Sequence, residues 1–361
     1  MNPYKNLPGH RFWRRAISSV EPHAVDPVVE PKFRIDIAEK VATAGSCFAQ
    51  HISRRLSAIG FNYFVPESGT EYGPEERKAR GYGVFSARYG NIYTVRQLLQ
   101  IFEEAFGVRP KSEQPWLRPD GRYVDPFRPT VEPAGYASPE DVRAARRAHI
   151  AYVRRMFLET DIFVFTLGLT ESWVSAVSGD VFPLAPGVVA GGFDPNSHKF
   201  VNFDVDEVRS DLRSFLWQLK SVNPRVKVML TVSPVPLIAT YENAHVLSST
   251  TYSKSVLRVA AETAKRESDW VDYFPSYEII TGNFSGGNYY EEDLREINGM
   301  GVSHAMRCFL KNYTVPSANE TARDANVASE DGRHPSAESA AARSRMDSIV
   351  CDEELIERVS F

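Results

Sequence analysis

Cysteine is scarce in this chain: Cys47, Cys308 and Cys351 are the only three in 361 residues. So few, so scattered, exclude a disulfide framework, and no pair has metal-ligand spacing, so no metal is expected. Long apolar runs are also missing. Nowhere do the ~18 uninterrupted apolar residues needed for a membrane-spanning helix occur. The first residues carry charge but neither an apolar core segment nor a small-residue cleavage site, and a reducing cytoplasmic setting is the expectation. An excess of positive charge is lacking too. Against 46 acidic residues stand 42 basic ones, net −4, which argues against nucleic acid as a partner. Clustered arginines such as Arg143, Arg146 and Arg147 read as a solvated helix face. What the chain does have is core material: 43 % apolar and 12 % aromatic residues, enough for a folded, enzyme-sized domain.

Hydrophobic periodicity sets the organisation. The apolar run Val41 to Ala44 ends in Gly45-Ser46-Cys47, and behind it Phe48, Ile52, Leu56 and Ile59 recur at three and four: strand, tight turn, helix. A helix over 139–159 precedes the strand Ile162 to Leu167, and a helix over 205–221 precedes the strand Val226 to Val232. A further helix over 253–266 leads to Trp270 to Phe274. Continuous apolar strands alternating with helices predict a parallel sheet covered on both faces. Ligands gather at the carboxyl ends of such strands. That singles out Gly45-Ser46-Cys47, Gly168 to Glu171, and Ser233-Pro234. Residues 107–138, a Pro-rich loop, and residues 172–204, which read as short strands joined by Gly and Pro, interrupt the pattern as insertions long enough for lids or for surface decoration. The division expected is an arm over 1–33, a domain over 34–312, a linker-like flexible tail over 313–345 rich in Ala, Ser, Glu, Asp and Asn, and a short helix within 346–361.

The turn at Gly45-Ser46-Cys47 carries the most chemistry. A nucleophile between a strand and a helix N-terminus lies beside unpaired backbone N–H groups, which stabilise an oxyanion, while the helix dipole favours a thiolate. The plainer alternative, Ser46 as a helix cap and Cys47 as a small buried residue, stands level with it on spacing alone.

Gly45-Ser46-Cys47-Phe48-Ala49 resembles the five-residue signature of the GSCFA family. Tyr89-Gly90-Asn91-Ile92-Tyr93, the run from Thr166 to Trp173, Ser233-Pro234-Val235-Pro236 and the run from Tyr273 to Glu278 also fit, so the resemblance covers about residues 35–310. This family is similar to the SGNH (GDSL-type) hydrolases, which implies a flavodoxin-like three-layer α/β/α sandwich with a parallel sheet. It also implies hydrolysis or transfer of an acyl group. The Gly-Asp-Ser block of those enzymes places Cys47 at the nucleophile and Ser46 at the aspartate; a slip of one residue makes Ser46 the nucleophile. Gly90 resembles the glycine that donates to the oxyanion. Gly168-Leu169-Thr170 resembles Gly-x-Asn, with threonine for the amide, and Glu171 follows it. The closing Asp-x-x-His block falls by register on Asp293 to Glu296, where glutamate stands in the histidine's place. His304 lies eight residues later, about 12 Å along an unbroken helix. A literal Asp-x-x-His occurs at Asp331 and His334. Both histidines stand as candidates for the base; His149 and His198 lack a matching partner and read as structural.

The resulting expectation is an SGNH-like O-acyl esterase or acyltransferase acting on a small-molecule or glycan ester, with Cys47 or Ser46 as nucleophile. No metal or organic cofactor is required, and acyl-CoA only for a transferase. The alternative is a catalytically degenerate member that binds a carbohydrate or a protein, motivated by Thr170 and Glu296.

Overall fold

A computed structural model describes residues 2–109, 111, 113–315 and 352–358. In chain order the strands are β1 (Val41–Gly45), β2 (Trp116–Leu117), β3 (Tyr123–Val124), β4 (Ile162–Leu167), β5 (Glu171–Ser175), β6 (Val181–Phe182), β7 (His198–Asn202), β8 (Lys227–Val232) and β9 (Val271–Tyr273). The helices are α1 (Ala49–Ala58), α2 (Pro74–Ala79), α3 (Val95–Ala105), α4 (Pro139–Glu159), α5 (Val205–Val222), α6 (Val246–Glu267), α7 (Ser276–Thr281), α8 (Gly299–Tyr313) and α9 (Glu354–Arg358).

Four strands make the central sheet in the order β1-β4-β8-β9, all parallel. Each is apolar on both sides because helices cover both faces, and alternate residues divide between two cores. Phe163, Phe165 and Leu167 of β4 join the core under α3, α4, α5 and α6. Ile162 and Val164 join the core under α1, α7 and α8. This is the three-layer α/β/α sandwich expected. The helix starts are well specified: Ser138 and Asp204 each close a reciprocal capping box at α4 and α5, a feature worth about 1 kcal/mol apiece.

Three details differ from expectation. Helix α3 escapes the simple strand–helix alternation, although Thr94 accepts from Gln97 N at 3.2 Å as its cap and Leu98, Ile101, Phe102 and Ala105 line its buried face. Helix α6 starts at Val246, ahead of the expected 253, because residues 246–252 are mostly exposed and show no apolar stripe. Residues 107–138 contain a small hairpin, β2 with β3, where a loop alone was expected, whereas 171–202 form a three-stranded antiparallel sheet, β6-β5-β7, in line with the short strands expected over 172–204.

The arm is anchored: Val25 is buried, and Asp26 takes Lys311 Nζ at 2.9 Å and Asn312 Nδ2 at 3.0 Å. Past α8 the chain pairs with Ile35, whose N–H donates to Tyr313 O at 2.7 Å. Most of the segment expected to be linker-like lies outside the described residues. Among the described residues no helix is long and apolar enough to cross a membrane.

Candidate active site

Gly45 ends β1 with φ +135°, opposite Thr166 in the sheet register. A Cβ there would lie 2.4 Å from Thr166 O and 2.7 Å from Thr166 N, so only glycine allows the strand to approach β4 this closely. The chain then turns. Ser46 N donates to Thr166 O at 3.1 Å, and Ile92 N donates to Gly45 O at 2.9 Å, which brings the loop after Gly90 alongside. Cys47 follows directly before α1, and both Ser46 and Cys47 are 3 % exposed. Ser46 Oγ has no hydrogen-bond partner among the described residues, and neither does Thr166 Oγ1. Two orphan hydroxyls on adjacent strands, one just past β1 and one in β4, are unusual in a buried place.

The loop leaving β4 closes on the same turn. A Cβ built on Gly168 would meet Ser46 Cβ at 3.0 Å and Tyr93 O at 3.1 Å. The structure therefore brings Gly168 against Ser46. It also spends the donor that the resemblance assigns there, since Thr170 Oγ1 donates to Asn202 Oδ1 at 2.7 Å; the neighbouring Gly168 N donates to Tyr93 O at 3.0 Å and Thr170 N to Ser253 Oγ at 3.1 Å. Gly90 adopts φ +71°, and its Cβ position is 3.8 Å from Asp352 Oδ2. Glu171, half-buried, accepts from Thr240 Oγ1 at 2.7 Å and Tyr241 N at 3.3 Å, and burial raises its pKa.

Lys254 from α6 and Asp352 and Glu353 from late in the chain adjoin this turn. Lys254 is 1 % exposed, and its Nζ donates to Gly168 O at 2.7 Å, its only hydrogen bond among the described residues. Burial pulls its pKa down to about 8, while Glu353 and Cys47 act on it electrostatically in the opposite direction. Glu353 takes Arg295 Nη2 at 2.8 Å; burial raises its pKa against the pull of Arg295 and Lys254. Next to it Asp352, also raised by burial, takes Asn91 Nδ2 and Thr130 Oγ1, both at 2.9 Å. Asp352 thus lies against the loop that holds Gly90 and Asn91, and Glu353 close enough to act on Lys254.

The downstream candidates lie apart from this site or outside the described residues. His304 sits in α8 with Nδ1 2.8 Å from Tyr289 Oη and Nε2 2.7 Å from Val25 O, so both ring nitrogens serve the arm and the core. Asp293 is exposed and caps a turn, accepting from Arg295 N and Glu296 N at 3.0 Å. The unbroken helix between Asp293 and His304 does not exist, because α8 begins only at Gly299 behind its Asn298 cap. Asp331 and His334 lie outside the described residues. His149 does have a carboxylate partner, Glu67 Oε2 at 2.7 Å, and its ring stands edge-on to Tyr89. Tyr89 donates to Thr43 O in the middle of β1, away from the strand's carboxyl end. His198 Nδ1 accepts from Asp194 N at 3.3 Å.

Lys254 was the residue to find. Lys254, Leu257, Ala261 and Ala264 share one buried helix face, so a lysine stands in an otherwise apolar stripe. His51, four residues after Cys47 and packed on Phe48, is a second imidazole nearby; burial lowers its pKa to about 4. Asp352 and Glu353 carry no comparable sequence signal. One residue beyond Gly168 a cleft of about 340 Å³ opens, with Leu169, Trp173, Phe200, Leu237 and Tyr241 in its walls and Glu353 at one end. Among the described residues no cluster of His, Cys, Asp or Glu is placed to hold a metal.

This α/β/α sandwich, with a buried thiol at the first strand's carboxyl end, matches the GSCFA family over residues 40–309, and the chain belongs to that family. No curated protein matches it. Among solved structures it is similar to a carbohydrate esterase family 3 from Talaromyces cellulolyticus, with 16 % identity over 60 % of this chain and 87 % of that one and a TM-score of 0.26. It is also similar to a Clostridium thermocellum family 3 carbohydrate esterase, with 10 % identity over 76 % and 94 % and a TM-score of 0.27.

Proposed function

We propose that the protein cleaves or transfers an O-acyl group of a small-molecule or glycan ester, with Cys47 as nucleophile. The observation that carries this reading is the joining of three features at one strand end. They are the Gly45-Ser46-Cys47 turn, Gly168 packed on Ser46, and a buried lysine and glutamate around them. As the base takes the thiol proton, attack forms the S–C bond and moves the carbonyl π electrons onto oxygen. Collapse of the adduct breaks the bond to the alcohol, which leaves with a proton from the base, and water or a second alcohol then takes the acyl group from sulfur. In this reading His334, oriented by Asp331, is the base, since His304 has both nitrogens engaged. A free thiol suits a reducing compartment, in keeping with a cytoplasmic setting. The cleft supports a substrate with a flat apolar face: Trp173 and Tyr241 stand edge to face 4.8 Å apart, and Glu171 borders them.

A competing reading, a carbohydrate or protein binder without catalysis, draws support from the occupied donors of Gly168 and Thr170. Incubation with p-nitrophenyl acetate separates the two. A burst of one p-nitrophenol per chain, absent in Cys47→Ala, supports the enzyme; no burst from folded protein supports the binder.

A further inference from the structure

We propose that Lys254 is a catalytic residue whose ammonium holds the carbonyl oxygen of the ester as Cys47 attacks, replacing the side-chain amide that Thr170 lacks. This rests on the reading of Cys47 above. Three observations point to it. First, the side chain standing in the amide's place is spent: the Thr170 hydroxyl donates to Asn202, and the Gly168 and Thr170 N–H groups of the same loop also donate elsewhere. Second, α6 clamps that same loop from behind. Ser253 Oγ accepts from Thr170 N, and Lys254 Nζ donates to Gly168 O at 2.7 Å, which anchors the ammonium beside the residue touching Ser46.

Third, an ammonium carries three donors, and Lys254 uses one among the described residues while 1 % exposed. A fully enclosed cation with open donors is costly unless a ligand completes it. The hydroxyl of Ser46, against which Gly168 packs, is equally unpartnered among the described residues. A donor fixed in a water-poor pocket is of most use where negative charge develops during reaction, as it does on the carbonyl oxygen.

The charge state fits this role. Burial lowers the Lys254 pKa to about 8; Glu353 from the chain end and Cys47 from the α1 turn raise it, and Arg295 from the loop before α8 lowers it. At neutral pH the group is mostly protonated, and its charge is lost as the pH rises through that value.

Two reactions at Cys47 test the assignment, because only one creates an oxyanion. Acylation by p-nitrophenyl acetate needs the donor; alkylation by iodoacetamide does not. In Lys254→Met and Lys254→Gln the acylation rate should fall ~10²- to 10³-fold, the usual loss for one oxyanion donor, while alkylation changes far less. Equal loss in both reactions, or no loss in either, overturns the proposal. The wild-type chain gives the same reading should these variants fail to fold. Its acylation-to-alkylation ratio should drop with a midpoint near 8, and a ratio flat through that range overturns it. A wild-type chain that is neither acylated nor alkylated at Cys47 overturns the nucleophile reading and this one together. That outcome is told apart because it arises before any change to Lys254.

Discussion

Two of the buried groups of charges in this domain, one around Asp125 and one around Lys254, are finished to different degrees. Around Asp125 every charge is answered. Its carboxylate takes Arg128 Nε at 2.8 Å, Arg146 Nη1 at 3.1 Å and Phe127 N at 3.0 Å, and Arg146 goes on to Glu104. Arg128 also reaches Arg88 O at 3.3 Å, and Arg88 Nη2 reaches Val131 O at 2.6 Å. Burial works against the Asp125 charge, yet Arg146 and Arg128 outweigh it and hold the carboxyl well below the usual carboxylate range. Around Lys254 the bonding is incomplete. The ammonium has one acceptor, Ser46 Oγ has none among the described residues, and burial moves both Lys254 and Glu353 toward neutrality. A satisfied network rigidifies a fold, whereas the group around Lys254 keeps donors and acceptors open among the described residues.

The largest effect that sharpens the contrast belongs to the finished network. Asp125→Ala leaves Arg128 and Arg146 short of a partner and should cost ~3–5 kcal/mol in urea unfolding, as for a broken buried pair. Its pH dependence follows from the depressed folded pKa. The Asp125 contribution is present above the unfolded value of ~3.9 and is lost as pH falls through the lower folded value, so the variant should lack part of the wild-type acid transition. Were Asp125→Ala to keep its stability and lose acylation, the division between the two regions would be wrong.

Gly168→Ala tests the other region by crowding. The new methyl meets Ser46 Cβ at 3.0 Å and the Tyr93 backbone at 3.1–3.3 Å, so a cost of ~1–3 kcal/mol is expected. The displaced turn should slow acylation by roughly 10²-fold. An unchanged burst rate would mean that Gly168 does not set the position of Ser46-Cys47.

Smaller still, Tyr241→Ala removes an aromatic ring that is 64 % exposed at the cleft. Stability should change by less than ~0.5 kcal/mol. The KM for an aryl or glycan ester should rise by about 1 kcal/mol, several-fold. The smallest effect concerns Glu353→Gln. Removing this negative neighbour disfavours the Lys254 ammonium, so the alkaline fall in acylation should move below 8 by less than about one pH unit. A shift to higher pH would assign that limb to another group.

The sheet was legible because each of its long strands is a continuous apolar run, and β4 over Ile162–Leu167 lies where its run predicts. Helix ends were legible where caps and stripes coincide, as at Ser138, and illegible at the start of α6, whose first turns are solvent-exposed. In the site, Gly45, Ser46, Cys47 and Gly168 come together as strand ends must in a parallel sheet. Lys254 was hidden because a lysine within a helix normally means a wet face, and only the buried Leu257 and Ala261 beside it tell otherwise. Asp352 and Glu353 were hidden for a different reason. Contacts such as Asn91 with Asp352 join residues 261 apart, and nothing local encodes them.

The most direct test of the account is intact-mass and peptide mapping of the chain after a brief reaction with p-nitrophenyl acetate. One acetyl group on Cys47 in the wild type, none in Cys47→Ala and one retained in Ser46→Ala is the predicted result. Acetylation mapped to Ser46, surviving in Cys47→Ala, would contradict it.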